Sequence, residues 1–160
     1  MTEIESGESD PSRTVASAGL DTIDLSVGNG GLDARFDRVL VDAPCTGLGT
    51  VHRRPEILLR IGPKDPARMA ELQRAIVRNA ARMVKPGGVL AVAVCSPTRA
   101  EGPELADAIE RDLPGLVRLR DRVDGIAIDP DADGVFRIGP FSAADDEGPD
   151  AYQIVRYRRS

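Results

Sequence analysis

Two short apolar runs with one amphipathic stretch between them constrain the fold of this chain more than any other feature. Residues 38–42 (RVLVD) and 89–94 (VLAVAV) are short, apolar and rich in branched side chains, as buried strands are. Between them, apolar residues of 66–84 recur at helical spacing behind an Asp-Pro start, and the stretch ends at Lys-Pro-Gly-Gly. This order predicts a βαβ unit with parallel strands and a right-handed crossover, and therefore an α/β fold.

Each predicted strand ends in a cysteine. Cys45 follows the first strand in the loop DAPCTG, three residues after Asp42, and Cys95 follows the second strand in CSP. The carboxyl ends of parallel strands lie at the same edge of a sheet, where ligands of open α/β folds bind. Either cysteine alone could be a small buried hydrophobe. Together they predict two thiols that face one crevice at the carboxyl edge of adjacent strands.

The totals indicate one domain. The chain has 160 residues and a formal net charge of −5, so it carries no overall positive field that would attract a nucleic acid. Residues 1–20 are polar and are expected to be disordered or loosely packed, which leaves 21–160 as the folded domain. They resemble no leader peptide, and no apolar run reaches membrane-spanning length, so we expect a cytoplasmic protein without membrane contact. The single histidine, His52, has no metal-ligand companion, and no metal site is predicted.

The remaining elements are short. Alternating apolar and polar residues followed by glycines predict a strand and a turn in 22–31. A helix is predicted over 103–112, and short strands are predicted at 125–128, 135–138 and 152–157.

Two thiols in one crevice have a chemical use. Carbon 5 of a pyrimidine is a poor nucleophile, but a thiolate that adds to carbon 6 makes carbon 5 able to attack an electrophilic methyl group. A second group must then remove the proton at carbon 5 so that the first thiol is expelled, and a carboxyl group near ring nitrogen 3 stabilises the charge that develops there.

The two cysteine loops also carry a family resemblance. FDRVLVDAPCTGLGTVHRRPEI, followed by LQRAIVRNAARMVKPGGVLAVAVCSP, resembles the RsmB/NOP (Sun) family of RNA cytosine-5 methyltransferases, which use S-adenosylmethionine. The resemblance implies a partial Rossmann-like sheet, mostly parallel with an antiparallel strand near the C-terminus. It also implies that Cys95 is the nucleophile on carbon 6, that Cys45 assists product release, and that Asp42 contacts the base. Val94 stands where the family usually has threonine.

The cofactor site is where the sequence departs most from that family. The family's glycine-rich loop, approximately DxCAAPGGKT, has no counterpart in the 36 residues before the first cysteine strand, and VGNGG at 27–31 lacks the required spacing. The resemblance implies that Asp42 and Pro44 contact S-adenosylmethionine and that Asn29 contacts its adenine. We therefore interpret 21–160 as a truncated methyltransferase domain that lacks the glycine-rich loop, with the edge of strand 38–42 open to self-association or to a partner chain.

An RNA partner (rRNA or tRNA) is expected from the resemblance. His52, Arg53 and Arg54 follow the first cysteine loop and are candidates for phosphate contacts. Two alternatives remain open: a degenerate homologue that serves as a binding or assembly module or has no retained role, and a thiol redox protein that uses the two cysteines as a pair.

We expect the 160-residue chain by itself to bind S-adenosylmethionine very weakly and to be catalytically silent. Without a glycine-rich loop, the carboxylate and ribose hydroxyls of the ligand lack the backbone amides and acidic residue that usually hold them. Isothermal titration calorimetry measures this directly. Micromolar affinity from a monodisperse monomer would contradict the expectation.

Overall fold

The computed structural model describes residues 15–17, 22–139 and 150–160. A short antiparallel hairpin comes first, formed by β1 (Val15–Ser17) and β2 (Thr22–Asp24). Residues 1–20 are predicted to be disordered or loosely packed. Of these, 15–17 are described and form β1, and the others lie outside the described residues. The main sheet and its two helices follow from residue 36 onward.

The predicted βαβ unit is confirmed. It consists of β3 (Phe36–Asp42), α1 (Asp65–Met83) and β4 (Val84–Val94), and β3 pairs with β4 in parallel. β4 begins earlier than predicted, because the Lys-Pro-Gly-Gly stretch is part of the strand. A side chain at Gly88 would meet the carbonyl oxygen of Asp37 at 2.7 Å, so the close approach of the two strands requires glycine there.

The sheet is completed by strands from the C-terminal half. β4 is followed by α2 (Pro103–Asp112), β5 (Leu116–Leu119), β6 (Val135–Ile138) and β7 (Tyr152–Arg159). The strand order is β3-β4-β7-β5, and β6 also pairs with β7. All three neighbours of β7 are antiparallel to it. The predicted α/β class and the antiparallel strand near the C-terminus are therefore confirmed.

Two details of the sequence-based assignment are corrected. Residues 125–128 lie in an irregular loop rather than a strand, with a turn at Gly125, where φ is 82°, and with Ile126 exposed. The sequence also did not predict β5, because the buried Arg118 interrupts its apolar pattern. That guanidinium is accommodated by Asp107 and Glu110 of α2, each at 2.6 Å.

The core lies between the sheet and the two helices. It is made of apolar side chains from one face of α1, one face of α2 and the facing side of the strands, including Ile76, Val77, Val41, Leu90 and Ile109. β3 has a strand partner on one side only among the described residues, and Leu40 at this edge is 71% exposed. Within the described part of the chain, no helix has both the length and the apolar character needed to cross a membrane.

Candidate active site

The site lies at the carboxyl edge of β3 and β4. The parallel register pairs Asp42 with Ala93, and the amide of Ala43 continues the ladder by donating to the carbonyl of Ala93 at 2.9 Å. Cys45 and Cys95 both come directly after this last pairing. The two loops therefore leave the sheet side by side.

The two thiols meet in this position. The sulfurs of Cys45 and Cys95 are 2.7 Å apart, within hydrogen-bond distance, and both cysteines are free and partly buried. The prediction that both thiols face one crevice on adjacent parallel strands is confirmed.

The contact shifts the pKa values of the two thiols in opposite directions. The hydrogen bond from Cys45 lowers the pKa of Cys95, against the opposing effects of burial and of the nearby Asp42 carboxylate. The same hydrogen bond, together with burial, raises the pKa of Cys45 far above the usual range of a thiol. Cys95 is thus the sulfur that ionises more readily, and Cys45 is the one that keeps its proton.

A glycine holds the first loop against the second. The amide of Gly49 donates to the carbonyl of Cys95 at 2.9 Å, and the carbonyl of Gly49 accepts from the amide of Ala151, also at 2.9 Å. A Cβ at this position would come within 2.0 Å of the Ala151 carbonyl oxygen. Only glycine lets the loop pass between Cys95 and the start of β7 at this distance.

A buried carboxylate lies beneath both cysteine loops. Glu101 is 1% exposed and accepts hydrogen bonds from Thr46, Ser96, Thr98 and Gln73. Sequence reasoning missed this residue. The available signal was an acidic side chain just ahead of an apolar helix and close to Ser96 and Thr98, but its remaining partners come from distant parts of the chain.

The crevice in front of the thiols has a volume of about 640 Å³. Asp42, Pro44, Cys45 and Cys95, the residues that the sequence proposes as catalytic or cofactor-binding, all line it. Its outer wall contains three arginines, Arg54, Arg60 and Arg68. The described residues contain no group of three His, Cys, Asp or Glu side chains that could hold a metal ion.

The structure does not place Asn29 at the crevice. This side chain is buried, donates to Asp33 at 2.9 Å and accepts from the amide of Gly31. Asp33 in turn pairs with Arg82 near the C-terminal end of α1, whereas the crevice is lined by residues near the start of that helix. The polar groups of Asn29 are thus used within its own loop, and its contact with adenine stays a prediction.

The predicted phosphate contacts divide into two groups. Arg53 forms a bidentate pair with the buried carboxylate of Asp150, and the imidazole of His52 lies 3.6 Å from the same carboxylate. These two side chains thus hold the loop to the start of β7. Arg54 lines the crevice instead and has no side-chain partner among the described residues. Their adjacency in the sequence made all three residues equal candidates for phosphate contacts. The position of Asp150 distinguishes them, because it pairs with Arg53, lies near His52 and leaves Arg54 at the crevice.

Comparison with known proteins decides the family. The family model described as 16S rRNA methyltransferase RsmB/F matches residues 12–126, which is more than half of the chain. The chain belongs to the RsmB/F family. This match covers both cysteine loops of the RsmB/F crevice, as well as Glu101 and the three arginines.

Individual relatives agree with this assignment. A putative methyltransferase of Mycobacterium tuberculosis (strain ATCC 25618 / H37Rv) is 53% identical over 81 residues, which are 50% of this chain and 18% of that protein. A probable ribosomal RNA small subunit methyltransferase B of Bacillus subtilis (strain 168) is 42% identical over 80 residues, again 50% of this chain and 18% of the relative. The matched region thus spans less than a fifth of these curated relatives.

Solved structures share the RsmB/F chain's fold. The crystal structure of PH0851 has a TM-score of 0.74 and 26% identity, and it covers 86% of this chain and 30% of its own. NSun6 from Pyrococcus horikoshii, solved with SFG, has a TM-score of 0.59 and 24% identity, covering 75% of this chain and 29% of its own. The Rossmann-like methyltransferase fold predicted from the sequence is therefore confirmed.

We expect Cys45→Ala to shift the pH dependence of Cys95 alkylation to higher pH. The hydrogen bond from Cys45 lowers the pKa of Cys95, so its removal leaves less thiolate at a given pH. Iodoacetamide labelling, quantified for the Cys95 peptide by mass spectrometry across a pH series, measures the midpoint. Cys45→Ser retains a hydroxyl donor and should fall between the alanine variant and the parent. An unchanged midpoint in Cys45→Ala would contradict the role of the thiol pair.

Proposed function

We propose that this crevice transfers a methyl group from S-adenosylmethionine to carbon 5 of a cytosine in ribosomal RNA, with Cys95 as the nucleophile. The observation that carries the proposal is the contact between the two free thiols, 2.7 Å apart, at the carboxyl edge of a methyltransferase sheet. Membership in the RsmB/F family supports RNA as the substrate.

Cys95 starts the reaction. Its lowered pKa favours the thiolate, which adds to carbon 6 of the cytosine and forms a carbon–sulfur bond. The electrons of the carbon 5–carbon 6 double bond move toward carbon 5, which becomes nucleophilic. The carboxylate of Asp42 is exposed in the crevice and is suited to accept a hydrogen bond from the exocyclic amine of the cytosine.

The residues of the crevice are compatible with a methyl donor beside the base. Asp42 and Pro44 line the same wall as the two thiols, and a volume of about 640 Å³ accommodates more than a nucleobase. When bound, S-adenosylmethionine would supply an electrophilic methyl group to carbon 5, and its sulfonium would leave as a neutral thioether. The part of these residues is to keep the donor and the base adjacent and to exclude water from the reacting carbon.

Cys45 acts in the second half of the reaction. Its pKa is raised mainly by its hydrogen bond to Cys95, so it stays protonated while Cys95 is a thiolate. Once the Cys95 sulfur is bonded to carbon, that hydrogen bond is lost, and Cys45 releases its proton to solvent in the open crevice and becomes a thiolate. The Cys45 thiolate then takes the proton from carbon 5, the ring double bond re-forms, and the carbon–sulfur bond breaks to release Cys95 as a thiolate.

We expect Cys45→Ala to accumulate a covalent RNA adduct and Cys95→Ala to form none. The asymmetry arises because Cys95 makes the bond to carbon 6 and Cys45 removes the proton that must leave before that bond breaks. The weak cofactor binding expected of this chain leaves it catalytically silent at lower S-adenosylmethionine concentrations, so the test engages the cofactor by mass action. The chain is incubated with a small-subunit ribosomal RNA transcript and millimolar S-adenosylmethionine and is run on a denaturing gel. An adduct with Cys95→Ala would reverse the two roles.

The arginines of the outer wall support an RNA substrate. Arg54 and Arg60 have no side-chain partner among the described residues, and Arg68 is 3.9 Å from Asp65 at the surface. Because the whole chain has a formal net charge of −5, an RNA is attracted to this local positive wall rather than to the protein surface in general. Guanidinium groups bind phosphate in bidentate geometry, so the wall is suited to the backbone on either side of a target base.

We expect Arg60→Ala to weaken the binding of a single-stranded RNA and to reduce its salt dependence. Loss of one phosphate contact lowers the slope of log affinity against log salt by about 0.7 for a single strand. Fluorescence anisotropy at several salt concentrations measures both quantities. Arg122→Ala is the matched control, because Arg122 is an exposed arginine that pairs with Asp129 and does not line the crevice. Equal losses in both variants would count against the arginine wall.

A further inference from the structure

We propose that Glu101 is a positioning residue that holds the two cysteine loops in register, so that Cys45 can donate its hydrogen bond to Cys95. The inference rests on the proposed function in one respect: the proposed reaction is the reason why these two sulfurs must lie side by side. Glu101 does not line the crevice, and it acts through the residues that follow the cysteines.

The contacts of Glu101 show how it connects the loops. One carboxylate oxygen accepts from the amide of Thr46 at 2.9 Å and from the side-chain amide of Gln73 at 3.0 Å. The other accepts from the hydroxyls of Thr46 at 2.7 Å, Ser96 at 2.6 Å and Thr98 at 3.0 Å. Thr46 directly follows Cys45 and Ser96 directly follows Cys95, so one carboxylate fixes the residue next to each thiol.

The helix behind the sheet is part of the same network. Gln73 of α1 is fully buried, and its side-chain amide donates to the carbonyl of Pro44 at 2.9 Å as well as to Glu101. The first cysteine loop is thus held from two directions, by the carboxylate and by α1. A displacement of either contact would move Cys45 relative to Cys95.

A buried carboxylate without a cation depends entirely on its hydrogen bonds. No Lys, Arg or His of the described residues lies within 4.0 Å of Glu101, so five donors compensate its loss of hydration. Those donors come from three separate parts of the chain. The arrangement forms only when both loops are in place, which is the property expected of a positioning residue.

The position of Glu101 and its charge change the pKa of Cys95 in opposite directions. The negative charge of Glu101 by itself raises the pKa of Cys95, whereas the hydrogen bond from Cys45 lowers it. The other ionisable groups that face Cys95 are Asp42 at the end of β3 and Tyr152 at the start of β7. If Glu101 acted only through its charge, its removal would make Cys95 ionise at lower pH. If it positions the loops, its removal makes Cys95 ionise at higher pH.

The test is the pH profile of Cys95 alkylation in Glu101→Ala. We expect its midpoint to move to higher pH, with alkylation below the midpoint slowed about tenfold for each unit of the rise. Glu101→Gln should return the midpoint to that of the parent or below it. A glutamine can still accept from Thr46 and Gln73 and can donate to the hydroxyls, and it lacks the charge that raises the pKa of Cys95. Glu104→Ala is the matched control, since Glu104 is an exposed glutamate of the same segment, paired with Arg99.

A folded Glu101→Ala with an unchanged or lowered midpoint overturns the proposal. Circular dichroism and thermal unfolding establish whether that variant folds. If it does not, Thr46→Val takes its place, because it removes one donor to Glu101 and keeps the backbone amide and the side-chain shape. A raised midpoint in Thr46→Val supports the proposal, and an unchanged or lowered one overturns it.

This experiment is independent of the proposed reaction. Alkylation needs neither RNA nor methyl donor, so its outcome does not depend on whether the chain is active. A raised midpoint together with no RNA adduct in Cys45→Ala would leave the positioning role intact and remove the methyl-transfer proposal. An RNA adduct in Cys45→Ala together with an unchanged midpoint in Glu101→Ala would support methyl transfer and overturn the positioning role.

Discussion

The parallel pairing of β3 with β4 is the contact on which the rest of the site depends. Its register places Asp42 opposite Ala93 and lets both cysteine loops leave the sheet at the same height. A shift of one residue would turn Cys45 or Cys95 away from its partner and expose the apolar face of a strand to water. Because α1 covers one face of both strands, the hydrophobic core maintains the strand pairing from which the two cysteine loops leave the sheet.

Above the sheet, the geometry is maintained by polar contacts rather than by apolar packing. The Glu101 network, the backbone of Gly49 and the Asp150 pair with Arg53 each tie the first cysteine loop to a different element. Buried polar groups of this kind are costly unless all are satisfied, so they favour one arrangement of the loops over others of similar compactness. The unequal pKa values of the two thiols are a consequence of that single arrangement.

Sequence reasoning found the catalytic candidates but not their supports. Cys45, Cys95 and Asp42 could be predicted because each follows a strand that its own local pattern reveals. Glu101 could not, since Thr46 and Gln73 are separated from it by 55 and 28 residues. The same limit applies to the arginine wall, because Arg60 lies in the loop after β3 and Arg68 lies in the first turn of α1, yet both line the crevice.

The sequence by itself determined the elements of the βαβ unit, the edge at which the cysteines lie and the family. These follow from short-range periodicity, strand ends and motifs that need only a few consecutive residues. Tertiary structure decided the position of β7 between β4 and β5, the contact between the two sulfurs, and which distant residues join the two cysteine loops. The reason is physical: hydrogen bonds and burial join residues that are distant in the chain, and local pattern carries no information about which distant groups will meet.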